Sequence, residues 1–278
     1  MKYIKKYIYL FIIMLISIYY TNKSIDILKS MDPIMKQIKN TSEKYSVDPI
    51  NAVIDDKYIS SGAYGKAIDY KESYSKMKTY GKYNEALTVL KETKPTISVE
   101  DNYNKYLIKG NPNKRNIALI FKMKSDKNII ELLSLLESES VQVTFFIDGT
   151  FLENNINMIR KLSNHEVEIL SYNESQNEEL MKTSINYLES ITNRKSKYCY
   201  TDIDNDKLLN SCAKNKLHTI KPNIIIDKDL SKNIKKDLSS GITITINNYN
   251  NEELIYSLRY LKSKGYNLVT VSDLYSEG

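Results

Sequence analysis

The first apolar run of the chain, residues 7–20, carries no charge and follows three lysines. A basic start before such a run is typical of a secretory signal or a signal anchor. No small-residue cleavage pattern follows Ser17 and no cysteine ends the run, which favours an uncleaved anchor. We therefore predict that residues 1–24 form a single-pass signal-anchor transmembrane segment, with the lysine-rich end in the cytoplasm and the remainder outside. A cleaved, secreted form and a buried helix of a soluble protein are the alternatives.

Residues 25–112 show short apolar groups separated by turn residues. Asp32 followed by a proline predicts the start of a helix. Asp69 with Glu72 has the spacing of a capping box and predicts a helix to about Tyr80. Residues 86–90 are predicted to form a strand. We expect a small α+β spacer region here, with a specific binding module as the alternative.

Residues 113–278 alternate β-type and helical patterns. Repeated β-α units of this kind predict an α/β domain with a parallel sheet or barrel. The predicted strands are 117–121, 141–147, 166–170, 198–200, 217–220, 224–226, 242–246 and 268–271. The predicted helices are 128–136, 151–162, 177–191 and 252–264.

Composition changes this picture little. The chain has 278 residues with 40 basic and 34 acidic side chains, a net charge of +6. Because the excess is small and scattered, it does not indicate a nucleic-acid-binding surface. Tryptophan is absent while lysine and asparagine are frequent, so single surface lysines carry little functional weight.

Three segments of the C-terminal region carry a family resemblance. Residues 143–149 read VTFFIDG, residues 164–169 read NHEVEI and residues 261–271 read LKSKGYNLVTV. In this order they resemble the ATFFxxG, GHEIGN and LKxKGYxxVTV motifs of the NodB-type polysaccharide deacetylases. The resemblance covers residues 113–278. It implies a distorted, incomplete (β/α) barrel with its site at the carboxyl ends of the strands.

The same resemblance implies a hydrolase acting on carbon–nitrogen bonds, which removes acetyl groups from glycans. In the family an Asp and two His hold a divalent metal, usually zinc, which polarises the acetamide and activates a water. A second Asp acts as the base and a late His as the acid. Each of these positions can be followed into the present sequence.

The metal-binding motifs are degenerate here. The family's TFDDGP falls on residues 120–125, so that Lys122 replaces the base Asp and Met123 the metal-binding Asp. The family's HSxxH begins at Leu170 and ends at Glu174, which replace the two metal-binding His. The resemblance therefore implies that the metal site has been lost.

The remaining motifs agree with that conclusion. The family's RPPYG falls near residues 198–202 without its Arg, and the His of its LLH becomes Asn247. Met123 and Leu170 offer no ligand for a hard or borderline cation, and a charged Lys122 repels one. We therefore expect no intact catalytic residue, no bound metal and no other cofactor.

Several polar side chains remain as a candidate residual pocket. These are Lys122, Asp148, His165, Glu174, Asp202 and Asn247. His165 and His218, the two histidines of the chain, are expected to have structural roles. Lys122 is expected to pair with Glu174 or Asp148, so that its ammonium group stands in for the metal.

Two further features of the region stay open. The acidic residues Asp202, Asp204 and Asp206 form either a cation site or a solvated loop that caps the helix from Lys207. Cys199 and Cys212, the only cysteines of the chain, form a disulfide outside the membrane or remain two thiols.

These expectations support three hypotheses for function. The first is a pseudoenzyme that keeps the scaffold to bind cell-wall glycan or a protein partner at the cell membrane. The second is an active peptidoglycan or chitin-like N-deacetylase, or another hydrolase, with non-standard site residues. The third is an envelope assembly protein. The predicted partners are the membrane, through the N-terminal helix, and either a cell-wall glycan or an envelope protein, with no nucleic acid.

Overall fold

A computed structural model describes residues 2–123, 128–170 and 178–278. Its contacts divide the chain into two compact units. Unit 1 comprises Met1–Asp48 and Gly65–Thr93, and unit 2 comprises Pro49–Tyr64 and Lys94–Gly278.

Helices and strands alternate along most of the described residues. The helices are α1 Lys2–Met31, α2 Pro33–Asn40, α3 Ser42–Tyr45, α4 Tyr70–Tyr80, α5 Ile129–Ser138, α6 Gly149–Asn154, α7 Ile156–Lys161, α8 Glu178–Thr192, α9 Asp206–Lys214, α10 Leu230–Asn233, α11 Asn251–Ser263 and α12 Val271–Tyr275. The strands are β1 Val53–Asp55, β2 Tyr58–Ser60, β3 Gly65–Ile68, β4 Leu90–Thr93, β5 Tyr106–Lys109, β6 Asn116–Met123, β7 Thr144–Ile147, β8 Glu166–Ile169, β9 Tyr198–Tyr200, β10 His218–Ile220, β11 Ile224–Ile226, β12 Ile242–Ile246 and β13 Asn267–Val269. Short 3-10 turns lie at Glu85–Leu87, Val99–Asp101 and Leu162–Asn164.

Unit 1 begins with the long apolar helix α1. Its segment Tyr7–Met31 is long and apolar enough to cross a membrane, a property that signal sequences share. The predicted helix starts are confirmed: Asp32 Oδ1 accepts a hydrogen bond from the Ile34 amide at 2.9 Å, and Asp69 Oδ1 accepts one from the Glu72 amide at 3.0 Å. These caps satisfy amide groups that have no partner inside the helix.

The prediction of a strand at residues 86–90 is wrong. Asn84 Oδ1 accepts a hydrogen bond from the Ala86 amide at 3.1 Å and begins a 3-10 turn. Strand pairing starts only at Leu90, which lies opposite Ile68 in the antiparallel pair β3–β4. A side-chain cap therefore overrides the β-type composition of this segment.

Unit 2 contains two sheets that face each other. One has the strand order β11-β12-β6-β7-β8, with β13 also paired to β6, and all of its pairs are parallel. The other has the order β1-β2-β5-β10-β9 and is parallel except for β1–β2. The predicted α/β class and the strand–helix alternation are confirmed.

Strand β6 shows how the core is layered. Because successive side chains point to opposite faces of a strand, Ala118 and Ile120 face one layer while Leu119 and Phe121 face another. The first layer lies between the two sheets. The second packs under helices that include α5, α8 and α11. A strand that is covered on both faces has a continuous run of apolar residues in its sequence. Such a run predicts a strand directly, as it does for β6.

The boundary of the predicted 25–112 region differs from the observed one. Strands β1, β2 and β5 come from that region but extend the sheet of β9 and β10 in unit 2. The buried carboxylate of Glu277 fastens these segments: it accepts hydrogen bonds from the amides of Gly62 at 2.9 Å and Val99 at 3.2 Å, and from the Ser98 hydroxyl. Pairing between strands so far apart in sequence leaves no local signal.

Candidate functional site

An ion pair lies at the carboxyl ends of the parallel strands. Lys122, the penultimate residue of β6, continues the inward-facing series of Ala118 and Ile120. Its Nζ lies 2.9 Å from Oδ2 of Asp202, which follows β9. The Lys122 side chain is 16% exposed and that of Asp202 is 43% exposed. The ammonium group is thus the more deeply placed member of the pair.

The side chain of Tyr200 contacts both members of this pair. The Lys122 Nζ lies 5.4 Å from the centroid of the Tyr200 ring, within the range of a cation–π contact. The Tyr200 hydroxyl donates to Asp202 Oδ1 at 2.5 Å and lies 2.9 Å from Thr245 Oγ1, which is placed to donate to it. Burial, together with the bond to Asp202, raises the pKa of Tyr200, which therefore stays protonated and donating.

The partner of Lys122 differs from the expected ones. Asp148 caps α6 instead, since its Oδ1 accepts a hydrogen bond from the Thr150 amide at 2.8 Å. The other expected partner, Glu174, lies outside the described residues. The expected pair with Asp148 is wrong, because that carboxylate is committed to a helix start.

The positions that hold the metal in the family are incorporated into the core. Met123 is buried among apolar side chains on the helical side of the sheet, and Leu170 is buried between the sheets with Phe146 and Tyr200. Asn247 is exposed, and its Nδ2 donates to Asp227 Oδ1 at 2.7 Å.

These side chains do not fit the family's divalent metal. A buried thioether and a hydrocarbon supply no donor atom that zinc prefers, and the Lys122 ammonium adds a positive charge. Within residues 2–123, 128–170 and 178–278, no group of three or more His, Cys, Asp or Glu side chains is placed to hold a metal ion.

The acidic loop after β9 is neutralised by lysines. Asp204 Oδ1 lies 2.6 Å from Lys221 Nζ, and its Oδ2 accepts a hydrogen bond from the Tyr58 hydroxyl at 2.7 Å. Asp206 lies 2.8 Å from Lys57 Nζ. With the Lys122–Asp202 pair, each aspartate of the loop thus has an ammonium partner. The loop was predicted to cap a helix from Lys207; the helix begins at Asp206, and its cap is Asn205, whose Oδ1 accepts from the Leu208 amide at 3.1 Å.

Comparisons with known proteins bear on the fold of the chain. No family model matches the chain. Over 154 residues it is 30% identical to an uncharacterized protein, YlxY of Bacillus subtilis strain 168, and the match covers 54% of this chain. The chain spans about half the length of that curated relative, 48%.

Solved structures give longer matches. Wild-type BA3943, a CE4 family pseudoenzyme from Bacillus anthracis, superposes with a TM-score of 0.68 at 21% identity, over 89% of this chain and 96% of that one. The protein has the CE4 polysaccharide deacetylase fold. PdaA of Bacillus subtilis, a family 4 carbohydrate esterase, matches with a TM-score of 0.54 at 17% identity, over 63% of this chain and 86% of that one.

His165 lies at the start of a strand rather than at the carboxyl ends where Lys122 and Asp202 meet. It precedes β8, three residues before Glu168, which is level with Lys122 across β7. Its Nδ1 accepts a long hydrogen bond of 3.4 Å from the Val143 amide, and its ring packs edge-on against Phe145. Burial lowers the pKa of His165. Its inclusion in the candidate pocket is therefore wrong, whereas its predicted structural role agrees with these contacts.

A disulfide closes the acidic loop of this CE4 fold. Cys199 in β9 is joined to Cys212 in α9, with 13 residues of sequence separation. Both sulfur-bearing residues are buried. The bond fastens α9 to β9 and so limits the positions that Asp202 can reach.

Sequence reasoning missed the side chains that hold Asp202 and its loop. Tyr200, Thr245 and Lys221 come from three different strands or loops. Tyr200 carried one usable signal. It lies two residues after Tyr198 in a short strand, which predicts that both side chains lie on the same face of the sheet. Nothing in the sequence indicated that Lys122 lies on that face as well.

Proposed function

We propose that the protein is a membrane-anchored, extracytoplasmic and catalytically degenerate relative of the polysaccharide deacetylases that binds cell-wall glycan without hydrolysing it. Three findings support this proposal. The fold is that of CE4 deacetylases, a neighbour with this fold is described as a pseudoenzyme, and α1 has the length and composition of a membrane anchor.

The observation that carries the proposal is the Lys122–Asp202 pair. An ammonium group lies where the family has its base, and it is held by a carboxylate at 2.9 Å. A fixed positive charge at this point disfavours a divalent cation nearby. Without a bound cation, a neighbouring water keeps its ordinary pKa and is a poor nucleophile at neutral pH.

The same groups are suited to bind a sugar. Lys122 offers ammonium hydrogens to an acetamide carbonyl or a hydroxyl, and the partly exposed Asp202 accepts from hydroxyls. Asn247 adds an exposed amide at the end of β12. Such an edge can bind an N-acetylated glycan through hydrogen bonds alone.

The test combines activity, metal content and binding on the full chain in detergent. We expect no stoichiometric metal, no acetate released from N-acetylglucosamine oligomers, and calorimetric binding of chitohexaose that Lys122→Met weakens. Lys232→Met, at an exposed site on α10, is the matched control and should leave binding unchanged.

Two outcomes would overturn the proposal. One metal equivalent with measurable turnover would establish the alternative, an active N-deacetylase with non-standard site residues. Absence of binding to chitohexaose would leave an envelope protein as the partner to be sought.

A further inference from the structure

Two adjoining cavities lie at the opposite edge of the barrel from Lys122, where strands β8, β9 and β10 begin. Their volumes are about 400 and 480 Å3. Lys197 and Ser272 line both cavities, so the two adjoin, and we refer to them together as the groove. Each volume lies in the range of sites that bind small molecules, and two such sites side by side have room for linked units of a short oligomer.

A half-buried imidazole in the groove has a buried nitrogen without a hydrogen-bond partner within the ranges that the structure describes. The His218 ring stacks on Tyr103, with centroids 4.2 Å apart and an angle of 16° between the planes. Its Nδ1 is buried and has no hydrogen-bond partner among the described residues. Burial lowers the pKa of His218 to about 4, so the ring is neutral at neutral pH. An unpaired buried polar atom is costly, and a ligand hydroxyl would satisfy it.

The glutamate side chains that line the groove already accept hydrogen bonds or pair with a lysine within the protein. Glu100 lies 2.8 Å from Lys94 Nζ and accepts from the Tyr64 hydroxyl at 2.9 Å. Glu166 accepts from the Thr144 hydroxyl at 2.7 Å and from the Ser272 hydroxyl. The others are Glu277, bound by three donors, and Glu168, whose pKa burial raises well above its usual value.

Of the four cationic side chains that line the groove, Lys195 pairs with Glu189 at 2.7 Å, and the other three differ from it. Arg194, Lys197 and Lys216 are exposed. None of the three forms an ion pair with a carboxylate of the described part of the chain. Arg194 donates to the His165 carbonyl oxygen at 3.2 Å. Three cationic side chains thus lie near the aromatic rings of the groove without a carboxylate partner in the described part of the chain, while Glu166 and Glu277 are held by uncharged donors.

We propose that this groove binds an acidic saccharide, one that carries carboxylate or phosphate groups. The lysines would hold its anionic groups, His218 would bond a hydroxyl, and the tyrosine side chains would pack against sugar rings. The site lies at the other end of the strands from Lys122. It therefore does not depend on the glycan binding proposed for that edge.

The test measures binding by calorimetry on the full chain in detergent. The probes are hexagalacturonate for carboxylate, a phosphorylated maltohexaose for phosphate, and maltohexaose as a neutral comparator. We expect at least one anionic probe to bind and maltohexaose not to. Lys197→Gln with Lys216→Gln should weaken that binding by roughly fivefold or more.

Two further variants separate a site from general charge attraction. Lys232→Gln with Lys236→Gln removes the same charge from exposed positions that do not line the groove, and should leave the affinity unchanged. His218→Phe keeps the ring but removes the unpaired nitrogen, so it should weaken binding without lowering the melting temperature.

The proposal is overturned if neither anionic probe binds. It is equally overturned if the groove variant and the control variant weaken binding to the same extent. The Lys122→Met variant should bind the anionic probe as the wild type does, which distinguishes this groove from the site at the opposite edge.

Discussion

Removing the charge of Asp202 tests how the ion pair at the strand ends is organised. In Asp202→Asn the ammonium of Lys122, whose side chain is only 16% exposed, loses its carboxylate. Loss of one partner costs about 3–5 kcal/mol when a pair is fully buried and about 0–1 kcal/mol at the surface. Because Asp202 is 43% exposed, we expect a loss of about 1–2 kcal/mol in the free energy of unfolding.

The reverse substitution should cost less. In Lys122→Met the carboxylate of Asp202 remains partly hydrated and keeps the hydrogen bond from Tyr200. The methionine side chain replaces the apolar stem of the lysine. We therefore expect a loss below about 1 kcal/mol for this variant.

Thermal unfolding followed by near-ultraviolet circular dichroism measures both variants. For a unit of roughly 200 residues, Asp202→Asn should lower the melting temperature by about 2–8 °C. The double variant should reveal a coupling of about 1 kcal/mol between the two side chains. A larger effect for Lys122→Met than for Asp202→Asn, or zero coupling, would refute this account of the pair.

Four other predictions follow from the structure. Burial, with a contribution from Glu166, raises the folded-state pKa of Glu168 above 4.5, so wild-type stability should fall as pH rises from 4.5 towards the raised value; Glu168→Gln should flatten this fall in thermal melts, and parallel curves would contradict the assignment. Replacing Cys199 and Cys212 by alanine should lower the free energy of unfolding in denaturant by about 3 kcal/mol for a loop of this length, and an unchanged midpoint would count against a formed disulfide. Glu277→Ala removes an acceptor from three donors and should cost about 2–4 kcal/mol, unlike Glu→Ala at an exposed glutamate. Protease added to intact spheroplasts should digest unit 2, whereas protection would argue against an extracytoplasmic location.

The strand and helix alternation of residues 113–278 could be predicted because it depends on local periodicity. Strand β12 at Ile242–Ile246 and helix α11 at Asn251–Ser263 lie within a residue of the predicted bounds. The helix predicted at 151–162 is instead two helices and a 3-10 turn, divided at Asn155. A break of this kind depends on packing against neighbouring elements rather than on the local pattern.

The domain boundary could not be predicted for a different reason. Strand β5 belongs to a sheet whose other members begin before residue 64 or after residue 197. Pairing between such distant segments is set by complementary burial across two sheets, and Tyr106 and Leu107 look like any short apolar pair in sequence. The same limit concealed the part played by Glu277 in fastening these segments.

The sequence by itself determined the fold class, the apolar N-terminal segment and the loss of family ligands at Met123 and Leu170. The first two follow from periodicity and composition, whereas the third follows from the family resemblance together with the donor atoms that a side chain does or does not possess. Only the tertiary structure decided that Lys122 pairs with Asp202 and that Asp148 caps a helix. Which carboxylate pairs with a lysine depends on distances of a few ångströms between strands of different sheets. Those distances are set by the register of each sheet and by the way the two sheets pack against each other.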